Sequence, residues 1–118
     1  FPDLVDARVL LGNLLARRGE TGAAIRHFRR ALAARPGIPE VHNNLATALF
    51  AERRLEVAER EYRPALALRS EYFNARFNLG RVLAARRRNT EALGELRKAA
   101  RMRPDHPALK AELQRLQK

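Results

Sequence analysis

Apolar residues fall three and four positions apart along nearly the whole chain, with polar and charged residues between them. That spacing is the signature of helices with one buried face. The stretches "LLGNLLARRG" and "NLGRVLAARR" show it, and so does "AIRHFRRALAA" after an intervening turn. Gly19 suits a turn between two such runs, while Pro39 and Pro107 suit the first turn of a helix, where a missing N–H costs nothing. The pattern predicts helices near 4–17, 20–34, 39–51, 55–68, 73–85, 89–102 and 107–117, and no strand.

The chain also repeats itself. A shift of 34 residues brings Leu11 onto Leu45 and Leu79, Gly12 onto Ala46 and Gly80, and Leu15 onto Leu49 and Leu83. The same shift aligns Ala24 with Ala58 and Ala92, Phe28 with Tyr62 and Leu96, and Ala31 with Ala65 and Ala99. Pro36 meets Ser70 and Pro104. This period, with its order of small and large residues and its closing proline, resembles the tetratricopeptide (TPR) repeat. The resemblance implies an all-α fold: a right-handed superhelix (an α-α solenoid) of three helix-turn-helix repeats with a C-terminal capping helix. Repeats then cover 5–38, 39–72 and 73–106, and the cap covers 107–118, as one domain of 1–118. The chain opens on Phe1 and reads as an excised piece of a longer protein.

Packing explains the pattern. Small residues at Gly12, Ala46 and Gly80 let a second helix approach closely, and Ala24, Ala58 and Ala92 supply the matching gap. Leu11, Phe28, Leu15 and Leu32 are expected to fill the space between. In the later turns Arg53 and Arg87 stand in place of Gly19, so a positive φ there would be strained. Pro64 lies inside the second helix of the second repeat, removes a hydrogen bond to the Arg60 carbonyl, and predicts a local kink. In "HPALKAELQRLQK", Leu109, Leu113 and Leu116 share one face and polar residues the rest, as suits an array's cap. "FPDLVD" offers no equivalent, so the first helix is expected to expose apolar surface, open to a preceding repeat or to self-association.

In TPR arrays the first helix of each repeat lines a concave groove. Here that places Glu40, Asn43, Asn44, Thr47 and Phe50 together, beside Asp6, Val9, Leu10, Asn13 and Arg17 and beside Asn74, Phe77, Asn78, Arg81 and Ala85. Asparagine is a poor helix-interior residue, so the adjacent Asn43 and Asn44 ask for a reason. Primary amides donate and accept, and can pair with the backbone of an extended peptide whatever its side chains. The predicted peptide-binding groove is therefore Asn13, Asn43, Asn44, Thr47, Asn74, Phe77, Asn78 and Arg81. The structural alternatives are hydrogen bonds between adjacent helices for the amides, and core packing for Phe50 and Phe77.

"VHNNLATAL" and "ARFNLGRVL" are similar to repeats of the O-GlcNAc transferase superhelix, where matching asparagines form a ladder that holds peptide backbone. The resemblance carries that role to Asn44 and Asn78, and Leu10 breaks the ladder in the first repeat. The two-carboxylate clamp of chaperone-binding TPR domains fits less well. Its asparagines fall on Asn13 and Asn44, but its basic residues fall on Val9, Asn74 and Asn78. The cations that grip a C-terminal carboxylate are missing.

Charge adds a rival surface. The net charge is +11, nearly all of it arginine. Arg29, Arg63 and Arg97 share one place in the repeats, Arg35, Arg69 and Arg103 another, while Arg53, Arg54, Arg86, Arg87 and Arg88 cluster at the turns. Such a ridge could meet nucleic acid, anionic lipid or an acidic protein. Glutamates are interleaved with it, from Glu52, Glu56, Glu59 and Glu61 to Glu91 and Glu95, and aromatic residues for base stacking are not, which favours a solvated face. Nothing points to catalysis. His27, His42 and His106 lack metal-ligand spacing, Ser70 is the sole serine, and cysteine is absent. No cofactor is expected and no apolar run is long enough to cross a membrane. The sequence reads as a non-enzymatic scaffold binding a protein or peptide in its groove, with the targeting or regulatory arm of a larger enzyme such as a glycosyltransferase as the alternative.

Overall fold

The computed structural model describes residues 3–117 and contains seven α-helices: α1 (Asp3–Arg17), α2 (Thr21–Ala34), α3 (Pro39–Ala51), α4 (Leu55–Leu68), α5 (Phe73–Ala85), α6 (Asn89–Met102) and α7 (Pro107–Gln117). No strand occurs among the described residues. α1, α3 and α5 each pair with the next helix in a hairpin, and the hairpins and the single α7 stack in order, so α2 covers α3, α4 covers α5 and α6 covers α7. The result is an elongated rod of 50 × 25 × 22 Å, three helical hairpins closed by a cap. No described helix is long and apolar enough to span a membrane.

The small residues stand at the helix crossings. A Cβ on Gly12 would lie 2.6 Å from Phe28 Cε1, and one on Gly80 would lie 2.6 Å from Leu96 Cδ2. Ala24, Ala58 and Ala92 are fully buried, as are Phe28, Tyr62 and Leu96 opposite them. One cluster runs from Val5 to Ala92, and a second joins Phe73, Leu96, Ala99 and Leu109 under the cap. Backbone geometry at the hairpin turns repeats as well: Gly19, Arg53 and Arg87 have φ of 79°, 62° and 62°. The two arginines thus occupy the left-handed region that costs an ordinary residue about 1–2 kcal/mol. α4 continues through Pro64 and has 14 residues, the same length as α2 and α6.

One core assignment fails. Leu11 is 41% exposed, whereas Leu45 and Leu79 in the same register are 2% and 1% exposed. The cause is topological: α2 and α4 cover the Leu45 and Leu79 faces, and no described helix lies before α1. Leu4 and Leu14 are exposed with it, so α1 does present an apolar outer face, while the exposed Leu10 holds the register of Asn44 and Asn78.

Candidate functional site

The groove is built from α1, α3 and α5. The amide of Asn44 donates to Asn13 Oδ1 at 2.9 Å, joining the first two hairpins, and Asn43 donates to Asn44 Oδ1 at 3.2 Å. Asn44 keeps a second N–H and a second lone pair, and Asn13 keeps its whole NH2 group, so both retain capacity for a ligand. Asn78 and the exposed Asn74 lie further along, outside this chain of bonds. The bond between adjacent helices is therefore present without exhausting the amides.

Thr47 sits one turn after Asn43 and is exposed. Its hydroxyl donates to the Asn43 carbonyl at 2.9 Å and so must accept from the Tyr62 hydroxyl at 2.8 Å. Burial pushes the Tyr62 phenol far above its ordinary value, opposed by the Thr47 bond and by the charge of Arg81, so it remains a donor. Asn13, Asn44 and Thr47 edge an open hollow of about 360 Å³, floored by Ala16 and Phe28 and flanked by Arg17.

Asn43 departs from its expected place. It is only 6% exposed and lies beside Tyr72, and its Oδ1 is buried without a partner. Position 43 turns from the groove toward the next hairpin. Phe77 holds the equivalent position one repeat on and turns the same way, with ring centroids 5.4 Å from His106 and 5.8 Å from Phe73. Both residues occupy the seam between hairpins, because one step along a helix rotates a side chain by roughly 100°, off the Asn44–Asn78 line. Arg81 remains on the groove, exposed, with its guanidinium 5.4 Å from the Phe50 ring and 5.7 Å from Phe77. Phe50 and Phe77 are partly buried and pack against the core clusters.

The outer ridge holds a cluster that the sequence did not single out. Glu59, 8% exposed, accepts from Arg63 at 3.0 Å, Arg86 at 2.6 Å and Arg88 at 2.7 Å. Burial alone would raise its carboxyl; bonds from Arg63 and Arg86 and the charge of Arg88 outweigh burial and hold it below the usual carboxylate range. The signal was available: Glu59 stands where the first repeat has Ile25, a carboxylate at a buried register position. Arg69 likewise pairs with Glu40, and Arg35 lies 3.9 Å from Asp6. Much of the arginine ridge is thus engaged within the molecule. Among the described residues, no cluster of histidine or acidic side chains has the form of a metal site.

Comparison with known proteins agrees with this architecture. A family model described as tetratricopeptide repeat matches residues 43–107, and a second of the same description matches residues 5–48. No curated protein sequence matches the chain. Among solved structures, the first TPR of Spaghetti (RPAP3), bound to the HSP90 peptide SRMEEVD, superposes with a TM-score of 0.93 at 24% identity, covering 96% of this chain and 90% of that one. The first TPR domain of human RPAP3 gives 0.92 at 24% identity, over 99% and 92% of the two chains. The Sgt2 TPR domain from Aspergillus fumigatus gives 0.88 at 23% identity, over 96% and 76%. At these identities the structural likeness speaks to the fold, while the family models match more than half of the sequence. The chain belongs to the tetratricopeptide repeat family.

Proposed function

We propose that this protein is an interaction scaffold whose concave groove holds an extended segment of a partner protein by its backbone. The observation that carries the reading is the Asn13–Asn44 amide pair, which faces the groove with unused donors and an unused acceptor. Asn78 and Asn74 extend the amide line along α5, as in the ladder that the O-GlcNAc transferase resemblance implies, and Thr47 and Arg81 edge it. Asn43 acts as a positioning residue, since it reaches a ligand only through Asn44. The relative solved with an HSP90 peptide supports a peptide as the class of ligand. Val9, Asn74 and Asn78 stand where a carboxylate clamp would carry cations, so the segment held here need not end in the groove.

The test uses peptides selected on the native chain from a displayed random library. Truncating Asn44 and Asn78 together to Ala removes bonds worth roughly 0.5–1.5 kcal/mol each and should weaken binding about tenfold, with helicity intact. The loss should depend little on salt, because neutral amides are not screened as charges are. Replacing Arg29, Arg63 and Arg97 by Gln should change only the salt-sensitive part. Calorimetric titration at low and high salt separates the two; an unchanged affinity in the asparagine variant and a collapse in the arginine variant would move the site to the ridge.

A further inference from the structure

The hollow between the first two hairpins has a counterpart one repeat later, and the two are not alike. The 34-residue shift carries its lining residues Ala16, Thr21 and Ala48 onto Phe50, Leu55 and Val82. At the second junction the larger Phe50 stands in the place of Ala16, packs against the core and lies under the Arg81 guanidinium. At the first junction three smaller side chains leave about 360 Å³ open to the groove. Asn13, Arg17 and Thr47 also change, to Thr47, Ala51 and Arg81, while the floor stays aromatic, with Phe28 for Tyr62, and the wall keeps its amide, with Asn44 for Asn78. Phe28 is fully buried and is locked by the Gly12 crossing, so the floor has little room to move into the opening.

We propose that this hollow is a side-chain pocket that takes an aromatic residue of the bound segment, in the place that the chain's own Phe50 fills at the next junction. Alanines and Phe28 offer the apolar contact, and an aromatic ring entering here would bury much of its surface. Arg17, exposed on the rim, supplies a cation to the ring as Arg81 does to Phe50. Asn13 and Asn44, on the wall, are placed to hold the backbone on either side of the inserted residue. The inference rests on the groove reading for the path of the segment and adds the identity of its anchor.

The experiment compares blocked Gly-Ser peptides carrying one central phenylalanine or one central alanine, titrated into the isotopically labelled chain and into Ala16→Phe. In the native chain the phenylalanine peptide should bind about tenfold more tightly than the alanine peptide, with shifts at the methyl groups of Ala16, Ala48 and Ala51. In Ala16→Phe the new ring plugs the hollow, so the preference should vanish while the thermal midpoint rises. Ala16→Leu should give a partial form of both effects. No preference in the native chain overturns the pocket, and equal binding of both peptides leaves the groove reading standing. A preference that survives in Ala16→Phe, or shifts confined to other residues, also overturns it. Failure of either peptide to bind in the millimolar range overturns both readings.

Discussion

Glu59 and Arg88 belong to successive hairpins, and the Glu59 carboxylate accepts a hydrogen bond from the Arg88 guanidinium at 2.7 Å. Arg63 and Arg86 converge on the same carboxylate, so this acidic side chain ties α4 to the next hairpin's turn, with Glu91 beside it pairing with Arg63 and Arg88. Replacing Glu59 by Ala removes the carboxylate from Arg86 and leaves Arg63 and Arg88 with Glu91 alone, and should cost about 1–3 kcal/mol in urea denaturation. The pH dependence has a definite sign. A carboxyl held below its ordinary value of 4.5 stabilises the fold above that value, and the contribution is lost as pH falls through the lower folded value. Stability between about pH 5 and pH 2 should therefore fall less steeply in Glu59→Gln than in the native chain. Parallel slopes would show that the cluster does not bear load.

The hairpin turns give a second expectation. Arg53 and Arg87 both sit at φ 62°, where Gly19 sits in the first hairpin. Relief of left-handed strain favours glycine by about 1–2 kcal/mol, and glycine's greater freedom in the unfolded chain returns about 0.5–1 of it. Arg53→Gly and Arg87→Gly should each raise stability by roughly 0.5–1 kcal/mol, and thermal melts of the single and double variants should show the gains adding. Gly19→Ala should lose a similar amount although nothing lies within 4 Å of its added Cβ.

The crossings are the third. Ala58 is fully buried opposite the first helix of its hairpin, so Ala58→Leu should overpack it and cost about 1–3 kcal/mol. Gly80→Ala should also be destabilising, because its Cβ would meet Leu96 Cγ at 2.7 Å as well as Cδ2. Ala46 already carries a Cβ at the equivalent place and is fully buried, so that hairpin has adapted to the methyl group. Ala46→Gly is thus a cavity-forming change rather than a relief. Melting curves in which Ala58→Leu and Gly80→Ala equal the native chain would displace the crossings from these residues.

The helices were legible because periodicity within each run and the repeat between runs describe the same faces. The helix expected over 39–51 is α3, and that over 55–68 is α4. What periodicity gives is a face; it does not say what lies against it. Leu11 has the spacing of a core residue and is exposed because no described helix covers it. Asn43 looks like its neighbour Asn44 and is buried, because one step along α3 turns it into the seam against Tyr72. The Arg81 contact with Phe50 likewise depends on the angle between α3 and α5, which the spacing of residues does not contain.

The last expectation comes from one repeated ion pair and its variants. In the third hairpin Arg76 donates to Glu95 at 2.8 Å and to the Ser70 carbonyl at 2.8 Å. In the second, His42 holds the same place: its ring nitrogens lie 3.0 Å from Glu61 and 2.7 Å from the Pro36 carbonyl. Both partners accept, and an imidazole donates from both nitrogens only when protonated, whereas arginine does so at any working pH. In the first hairpin the same two places hold Arg8 and His27, and the buried Nδ1 of His27 has no partner. Glutamate at 27 would give Arg8 the carboxylate that Arg76 has. The pair in the third hairpin is about 15% exposed on each side, so the new one should be worth more than a surface ion pair, about 0.5–1.5 kcal/mol. His27→Glu should therefore raise the urea midpoint, and Arg8→Ala, nearly neutral in the native chain, should cancel the gain in the double variant. A gain that survives Arg8→Ala would place the benefit of glutamate elsewhere and break the equivalence of the three hairpins at this position.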